Sequence, residues 1–280
     1  MRAVRAAGFV ALCCASLASA QPNSNTATYA VDAIRFATVP AFRVSGLIAG
    51  ADTSRRLDIA MSVWLLRGAG RNVLVDAGFH RQRYIDRWKP AGYVSPAEAV
   101  RQAGVAPDSV TDIVISHIHW DHADGIDLFP NANVWIQAEE YHYYVTPLTG
   151  APKERAIESE VSAMLFDLEH RGRLRLIEGD AKEFLPGLTA YTGGRHTYAS
   201  QYVGVHTASG TVVIASDNLY LYENLEKRVP IAQTLDAESN LRAQDRMKTI
   251  ASDVRLIVPG HDPAVFERFP SRANGVATIR

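Results

Sequence analysis

The tightest constraint in this chain is a strand that ends in metal-ligand chemistry. Residues 112–115 read Asp-Ile-Val-Ile, a short apolar run rich in β-branched side chains, which is the pattern of a buried strand. Directly after it comes Ser116-His117-Ile118-His119-Trp120-Asp121-His122, with three imidazoles and one carboxylate in six residues. Ligand-type side chains that converge at the end of a buried strand need a common partner, and a cation is the most economical one. Imidazole suits zinc, and carboxylates complete such sites. Any one of these histidines alone would read as a satisfied core or surface residue; four ligand types at this spacing do not.

Composition removes some partners. The 280 residues carry 29 Lys and Arg against 30 Asp and Glu, so no basic field exists to hold nucleic acid or another polyanion. Past residue 20 no segment is long and apolar enough to cross a membrane. The first twenty residues read differently from the rest. Arg2 and Arg5 make a basic start, residues 6–17 are an apolar run too short to span a bilayer, and Ala18-Ser19-Ala20 fits a small-x-small cleavage site. This predicts a signal peptide over 1–20, cut after Ala20, then a flexible leader over 21–28 and a single domain over 29–280 that is periplasmic or secreted. Both cysteines, Cys13 and Cys14, lie inside the peptide, and Leu12 stands where a lipid-anchoring signal wants a small residue. The expected mature chain is therefore a soluble protein with no disulfide, no thiolate nucleophile and no cysteine ligand.

Strands are expected throughout residues 29–75, with 59–66 and 72–75 flanking a glycine-bearing hairpin turn at 67–71. Ser95-Pro96-Ala97-Glu98 opens a helix with an N-cap, a first-turn proline and a capping box, and Gly104 can end it. A strand at 133–137 is followed by a helix starting at Ala138. In residues 152–170 the positions Ile157, Val161, Met164, Leu165 and Leu168 recur at helical spacing. The stretch reads as a helix packing on the core; a lid over the cluster, spanning 146–170, is the alternative. Further strands are expected at 173–177, 188–191, 201–206, 211–215 and 254–258, with a helix over 239–251.

More ligand types stand at strand ends: His196 after Gly193-Gly194-Arg195, Asp217 after the strand at 211–215, and His261 after Pro259-Gly260. Asp76, at the end of the 72–75 strand, suits either a turn or an outer carboxylate that orients a ligand histidine. His80, His142, His170 and His206 lack such a context and are read as surface or packing residues.

The set His117, His119, Asp121, His122, His196, Asp217 and His261 resembles the ligand set of the metallo-β-lactamase superfamily. The resemblance implies an α/β fold, an αββα sandwich of two mixed β-sheets flanked by helices. It also implies two divalent metal ions, zinc foremost, at one edge of the sheets. Asp217 is similar to the bridging aspartate of two-metal members, which β-lactamases lack. Tyr220, three residues further on, and the interval from Asp217 to His261 are similar to the N-acyl homoserine lactonase family, as is Val105-Ala106-Pro107-Asp108. That family usually reads Gly-His-x-Pro-Gly-His at the third ligand. Here Tyr198, Ala199 and Ser200 replace the proline, glycine and second histidine, so the loop geometry is expected to differ.

The implied activity is that of an exported hydrolase which opens lactone rings, N-acyl homoserine lactones among them, by attack of a metal-bridging hydroxide. His117, His119 and His196 would hold one metal, Asp121, His122 and His261 the other, with Asp217 between them. Asp121 and Tyr220 are the catalytic candidates, for proton transfer and for stabilising the developing oxyanion or ring oxygen. Trp120 and the group Tyr141, Tyr143 and Tyr144 are candidate walls of an apolar acyl pocket, with core packing the other reading for the tyrosines. The partner is a small-molecule lactone or ester; a homodimer stays open. The rival activities on this scaffold are a phosphotriesterase of the methyl-parathion-hydrolase type, an arylesterase and a thioesterase. An oxygen-reducing di-iron protein is disfavoured, because that family resembles His-x-Glu-x-Asp-His and His119 stands at the second position. A non-catalytic metal-binding protein is disfavoured because all seven positions are filled.

Overall fold

Alternation of period two decides the layering. In the computed structural model, which describes residues 27–145 and 156–280, the strand carrying Trp64 and Leu66 sends those side chains into one apolar cluster. Its Met61, Val63 and Leu65 enter another on the opposite face. The expected signal peptide, the leader up to residue 26 and residues 146–155 lie outside the described residues.

The first sheet takes β1 (Tyr29–Arg43), β2 (Arg56–Gly68), β3 (Arg71–Val75), β4 (Asp112–Val114), β5 (Asn133–Gln137) and β6 (Leu174–Ile177). The second takes β7 (Lys182–Leu185), β8 (Leu188–Thr192), β9 (Gln201–Thr207), β10 (Gly210–Ser216) and β11 (Ile257–Pro259). The chain then returns to the first with β12 (Ser271–Ala273) and β13 (Val276–Ile279). The spatial orders are β12-β13-β1-β2-β3-β4-β5-β6 and β11-β10-β9-β8-β7. Both sheets are mixed. β3 through β6 run parallel, as do β10 and β11, and the remaining pairs are antiparallel.

Val31, Trp64, Val73 and Val114 from one sheet meet Leu188, Val203, Val212 and Val258 from the other in a shared core. The helices are α1 (Gln82–Trp88), α2 (Pro96–Gln102), α3 (Trp120–Ala123), α4 (Ala138–Tyr144), α5 (Ser159–His170), α6 (Tyr222–Lys227), α7 (Ala237–Ile250) and α8 (Val265–Arg268). Tyr84, Val100, Tyr141 and Leu165 from α1, α2, α4 and α5 cover the outer face of the first sheet. Leu225 and Met247 from α6 and α7 cover Tyr202, Val213 and Ala215 on the second. The layers are therefore helix, sheet, sheet, helix, which is the expected αββα sandwich.

Several elements differ from expectation. The last buried strand is only three residues long, because Asp253 caps a 3₁₀ turn over Val254–Leu256 by accepting from the Arg255 N–H. Ser95 caps α2 by accepting from the Glu98 N–H at 3.2 Å, but the Glu98 carboxylate turns to Arg101 and Gln102 instead of closing a capping box. β7, β12 and β13 were not foreseen; β13 pairs with β1.

The crossing from β11 into the next loop is tight. A Cβ on Gly260 would lie 2.7 Å from Asp217 Oδ1 and 2.8 Å from the Ser216 carbonyl carbon. Gly260→Ala is therefore expected to lower the melting temperature by several degrees, since about 1–3 kcal/mol of overpacking falls on a backbone that cannot move away. Differential scanning calorimetry of the two proteins checks this.

Candidate metal centre

The carboxyl ends of β3, β4, β10 and β11 open on one edge of the sandwich, and each delivers a ligand-type residue or its support there. Three residues at this edge adopt left-handed backbone without being glycine: Asp76 (φ 61°), Arg195 (φ 55°) and Ser216 (φ 46°). Each such residue costs on the order of 1–2 kcal/mol, and clustering of that cost at one edge marks a constrained site.

His117, His119 and His196 form one group whose ligand atoms lie within 4.8 Å of one another; Asp121, His122, Asp217 and His261 form a second. All except Asp121 are buried. The two groups meet at Asp217. Its Oδ1 lies 3.3 Å from His122 Nε2 and 3.1 Å from His261 Nε2, and its Oδ2 lies 3.4 Å from His196 Nε2 and 3.8 Å from His117 Nε2. All seven residues expected from the sequence are thus brought together.

Hydrogen bonds on the outer side of the rings decide which nitrogen faces inward. His122 Nδ1 donates to Asp76 Oδ2 at 2.8 Å, His196 Nδ1 to the Gln233 carbonyl at 2.7 Å, and His261 Nδ1 to the Ala60 carbonyl at 3.0 Å. In the neutral ring each such bond leaves Nε2 and its lone pair toward the cluster. His117 Nδ1 pairs with Ser116 Oγ at 2.9 Å, to the same effect. Asp76 is both things the sequence allowed, a turn residue and the orienting carboxylate. It also accepts from the Ser116 N–H and from the hydroxyls of Ser116 and Ser216. Inside this frame His117 Nε2, His122 Nε2 and Asp217 Oδ1 are buried without a hydrogen-bond partner among the described residues. Several of them are close to each other but not aligned to bond. Buried polar atoms are normally satisfied, and divalent cations between the two groups would satisfy all three, so the donor set fits two such ions.

The electrostatics agree. Burial pushes His117 and His119 well below the ordinary imidazole range, and burial likewise lowers His196. These three are neutral, as cation ligands must be. Burial would also lower His122 and His261, but carboxylates outweigh it: Asp217, Asp121 and Asp76 hold His122 well above the usual range, and Asp217 raises His261. Asp217 itself would be raised by burial, yet His122 and His261 hold it well below the carboxylate range.

Above the clusters opens a cavity of about 500 Å³. Asp121, Asp217, His119, His261 and Tyr220 lie in its lining, and Phe42, Ile59, Met61, Trp88 and Trp120 give it apolar walls. Tyr220 is buried. Its hydroxyl is 3.4 Å from His196 Nδ1, a nitrogen already engaged with Gln233. Burial, then the Asp217 and Asp121 charges, push its pKa well up, so it stays a phenol. Trp120 is a wall as expected. Tyr141 and Tyr144 instead pack in the core, and Tyr143 stacks on Tyr198 with centroids 3.9 Å apart. α5 packs Val161, Leu165 and Leu168 inward, while Ala156 and Glu158 before it reach the cavity. His80 pairs with Asp127, and His170 and His206 are exposed, so these histidines stay out of the site.

Sequence reasoning missed the supports: Ser116, Gln233, Asn218 and Glu140. Ser200, which stands where a second histidine is usual, accepts from the His196 N–H at 3.2 Å and donates to Asn218 Oδ1 at 2.9 Å. Nothing in its local sequence signals that.

The family model of the metallo-beta-lactamase superfamily matches residues 60–261, so the chain belongs to that superfamily. It is 32% identical over 166 residues to the N-acyl homoserine lactonase AiiA of Bacillus thuringiensis subsp. kurstaki, which is 58% of this chain. The match spans 60% of that relative's length. Among solved structures, an N-acyl homoserine lactone hydrolase with the product N-hexanoyl-L-homoserine at its metal centre superposes with TM-score 0.72 at 21% identity, covering 88% of this chain and 98% of that one. The dizinc quorum-quenching lactonase AidC superposes with TM-score 0.66 at 15% identity, covering 91% and 97%. At these identities the superpositions speak for the fold.

The raised imidazoles give a pH test. His122 and His261 favour their protonated forms, so a cation must displace protons from them, and its affinity falls as pH drops below their raised values. Titrating zinc into the metal-free chain near neutral pH in weak buffer should release about 1–2 protons per chain; no release would mean both rings were already neutral.

Proposed function

We propose that this superfamily member is an exported dizinc lactonase that opens lactone rings such as those of N-acyl homoserine lactones. The observation that carries the two-ion part is the reach of Asp217, one oxygen toward each cluster. His117, His119 and His196 would hold one ion, Asp121, His122 and His261 the other, and Asp217 both. Such a pair supplies a nucleophile at neutral pH and polarises a carbonyl oxygen.

The remaining steps belong to the chain's own groups. The apolar walls at Phe42, Ile59, Met61, Trp88 and Trp120 would take the acyl chain and keep bulk water from the reacting carbon. The Tyr220 phenol, protonated and facing the cavity, donates to the oxygen that gains charge as the carbonyl carbon becomes tetrahedral. Asp121, the one partly exposed member of the clusters, takes the proton lost as water adds and returns it to the ring oxygen that leaves. The likeness to the N-acyl homoserine lactonase named above supports this choice of substrate. The basic, apolar, small-x-small order of residues 1–20 supports export with cleavage after Ala20.

The test is hydrolysis by the zinc-loaded protein of short- and long-chain acyl homoserine lactones beside paraoxon-type and p-nitrophenyl ester substrates, with Asp217→Ala as control. Lactone opening should dominate and the control should be inactive. Dominant phosphotriester or aryl ester cleavage would replace the lactonase assignment with a phosphotriesterase or arylesterase. Tyr220→Phe should lower kcat by about 100- to 1,000-fold, the loss of one donor to developing charge, with zinc content unchanged. Loss of zinc instead would give Tyr220 a structural role.

A further inference from the structure

Asp76 stands behind both clusters, directly at His122 and through Ser116 Oγ at His117, and in the second cluster the Ala60 carbonyl stands behind His261. The first takes its histidines from two separate loops, residues 116–122 and 193–200. Gln201 joins the bases of these loops: its N–H donates to the Ser116 carbonyl at 2.8 Å and its side chain to the Ile115 carbonyl at 2.8 Å. Toward the ligands themselves a different residue spans the gap.

That residue is Glu140, in the first turn of α4 and fully buried. Its Oε1 accepts from the Ile118 N–H at 3.2 Å and from the Thr197 hydroxyl at 2.6 Å. Its Oε2 accepts from the Ala199 N–H at 2.7 Å. Ile118 lies between His117 and His119, and Thr197 follows His196. One turn further along α4, the Tyr144 hydroxyl accepts from the Tyr198 N–H at 3.2 Å. One face of α4 thus grips the amide between two ligands and the loop that carries the third. On the inner side of this grip His119 Nδ1 and His196 Nε2 stand 3.0 Å apart. A carboxylate is costly to bury, so three directed hydrogen bonds to ligand-bearing loops are a specific arrangement.

We propose that Glu140 is a positioning residue for the three-histidine site. Its carboxylate sets the spacing of His119 and His196, and through it the affinity of that site, while touching neither cation nor substrate. The inference rests on the two-ion reading above. Glu140→Gln keeps the shape but turns one acceptor oxygen into an N–H donor, while Ile118 N–H, the Thr197 hydroxyl and Ala199 N–H all donate to it, so at least one of these bonds is lost. Thr197→Val removes one of the same bonds at almost constant volume.

The experiment titrates Zn²⁺ into metal-free wild-type, Glu140→Gln and Thr197→Val proteins against a chromophoric chelator, with melting temperature and kcat at saturating zinc measured alongside. Wild type should bind two tight equivalents. Glu140→Gln should keep one and weaken the other by about 10- to 100-fold, the usual cost of losing an outer partner, with activity restored by excess zinc. Thr197→Val should shift the same equivalent less. His261→Ala assigns the sites: alone it should retain one tight zinc, and combined with Glu140→Gln none. Both equivalents at wild-type affinity, or both weakened in step with a lower melting temperature, would overturn the proposal. If Glu140→Gln does not fold, wild-type affinity for both equivalents in Thr197→Val overturns it. Fewer than two equivalents in wild type would bring down the two-ion reading itself, and the positioning role with it.

Discussion

Asp217 holds the centre together, because one buried carboxylate faces four imidazoles from three separate segments of the chain. Its charge raises His122 and His261 and is itself stabilised by them, while His117 and His196 close on its other oxygen. Such a concentration of ionisable groups would be unfavourable in a core lined by Val and Ile unless each had a fixed partner. Outer hydrogen bonds to Asp76, Gln233 and Ala60 turn His122, His196 and His261 so that Nε2 points inward. The inner face is left with unpartnered donors and acceptors, which is the condition under which a cation binds tightly.

The sandwich exists to bring those loops to one place. β3 and β4 from the first sheet and β10 and β11 from the second run parallel within their pairs, so their carboxyl ends reach the same edge. The shared core between the sheets, with Trp64, Val75, Val114, Val212 and Ile214, sets their separation. Left-handed backbone at Asp76 and Ser216 turns the chain sharply at the strand ends, aiming Asp76 and the adjacent Asp217 at the cluster. The cavity then follows from what stands around the edge: β1 and β2 contribute Phe42, Ile59 and Met61, and α1 contributes Trp88.

Much of this was legible in the sequence where one local pattern decides the outcome. The apolar run at 59–66, bounded by a glycine-bearing turn, becomes a strand on local signals alone, and the seven ligand-type residues are recognisable by chemistry and by their place at strand ends. The fold and the superfamily were legible too, through the resemblance these residues carry. What was not legible depends on partners distant in the chain. Tyr141 and Tyr144 suited a pocket wall or the core equally well in the sequence, and only the placement of α4 turns them into the core. The strand expected at 254–258 shortens because the Asp253 side chain competes for the local backbone. Glu140 sits beside Glu139 in an ordinary acidic first turn, and only the packing of α4 against two loops makes one of them buried and structural.

The central claim is that two cations occupy the two clusters with Asp217 between them. Anomalous X-ray scattering at the zinc edge, from crystals of the zinc-loaded protein, tests it most directly. The account predicts two peaks, one among His117, His119 and His196 and one among Asp121, His122 and His261, with Asp217 in contact with both. A single peak, or peaks away from Asp217, would contradict it.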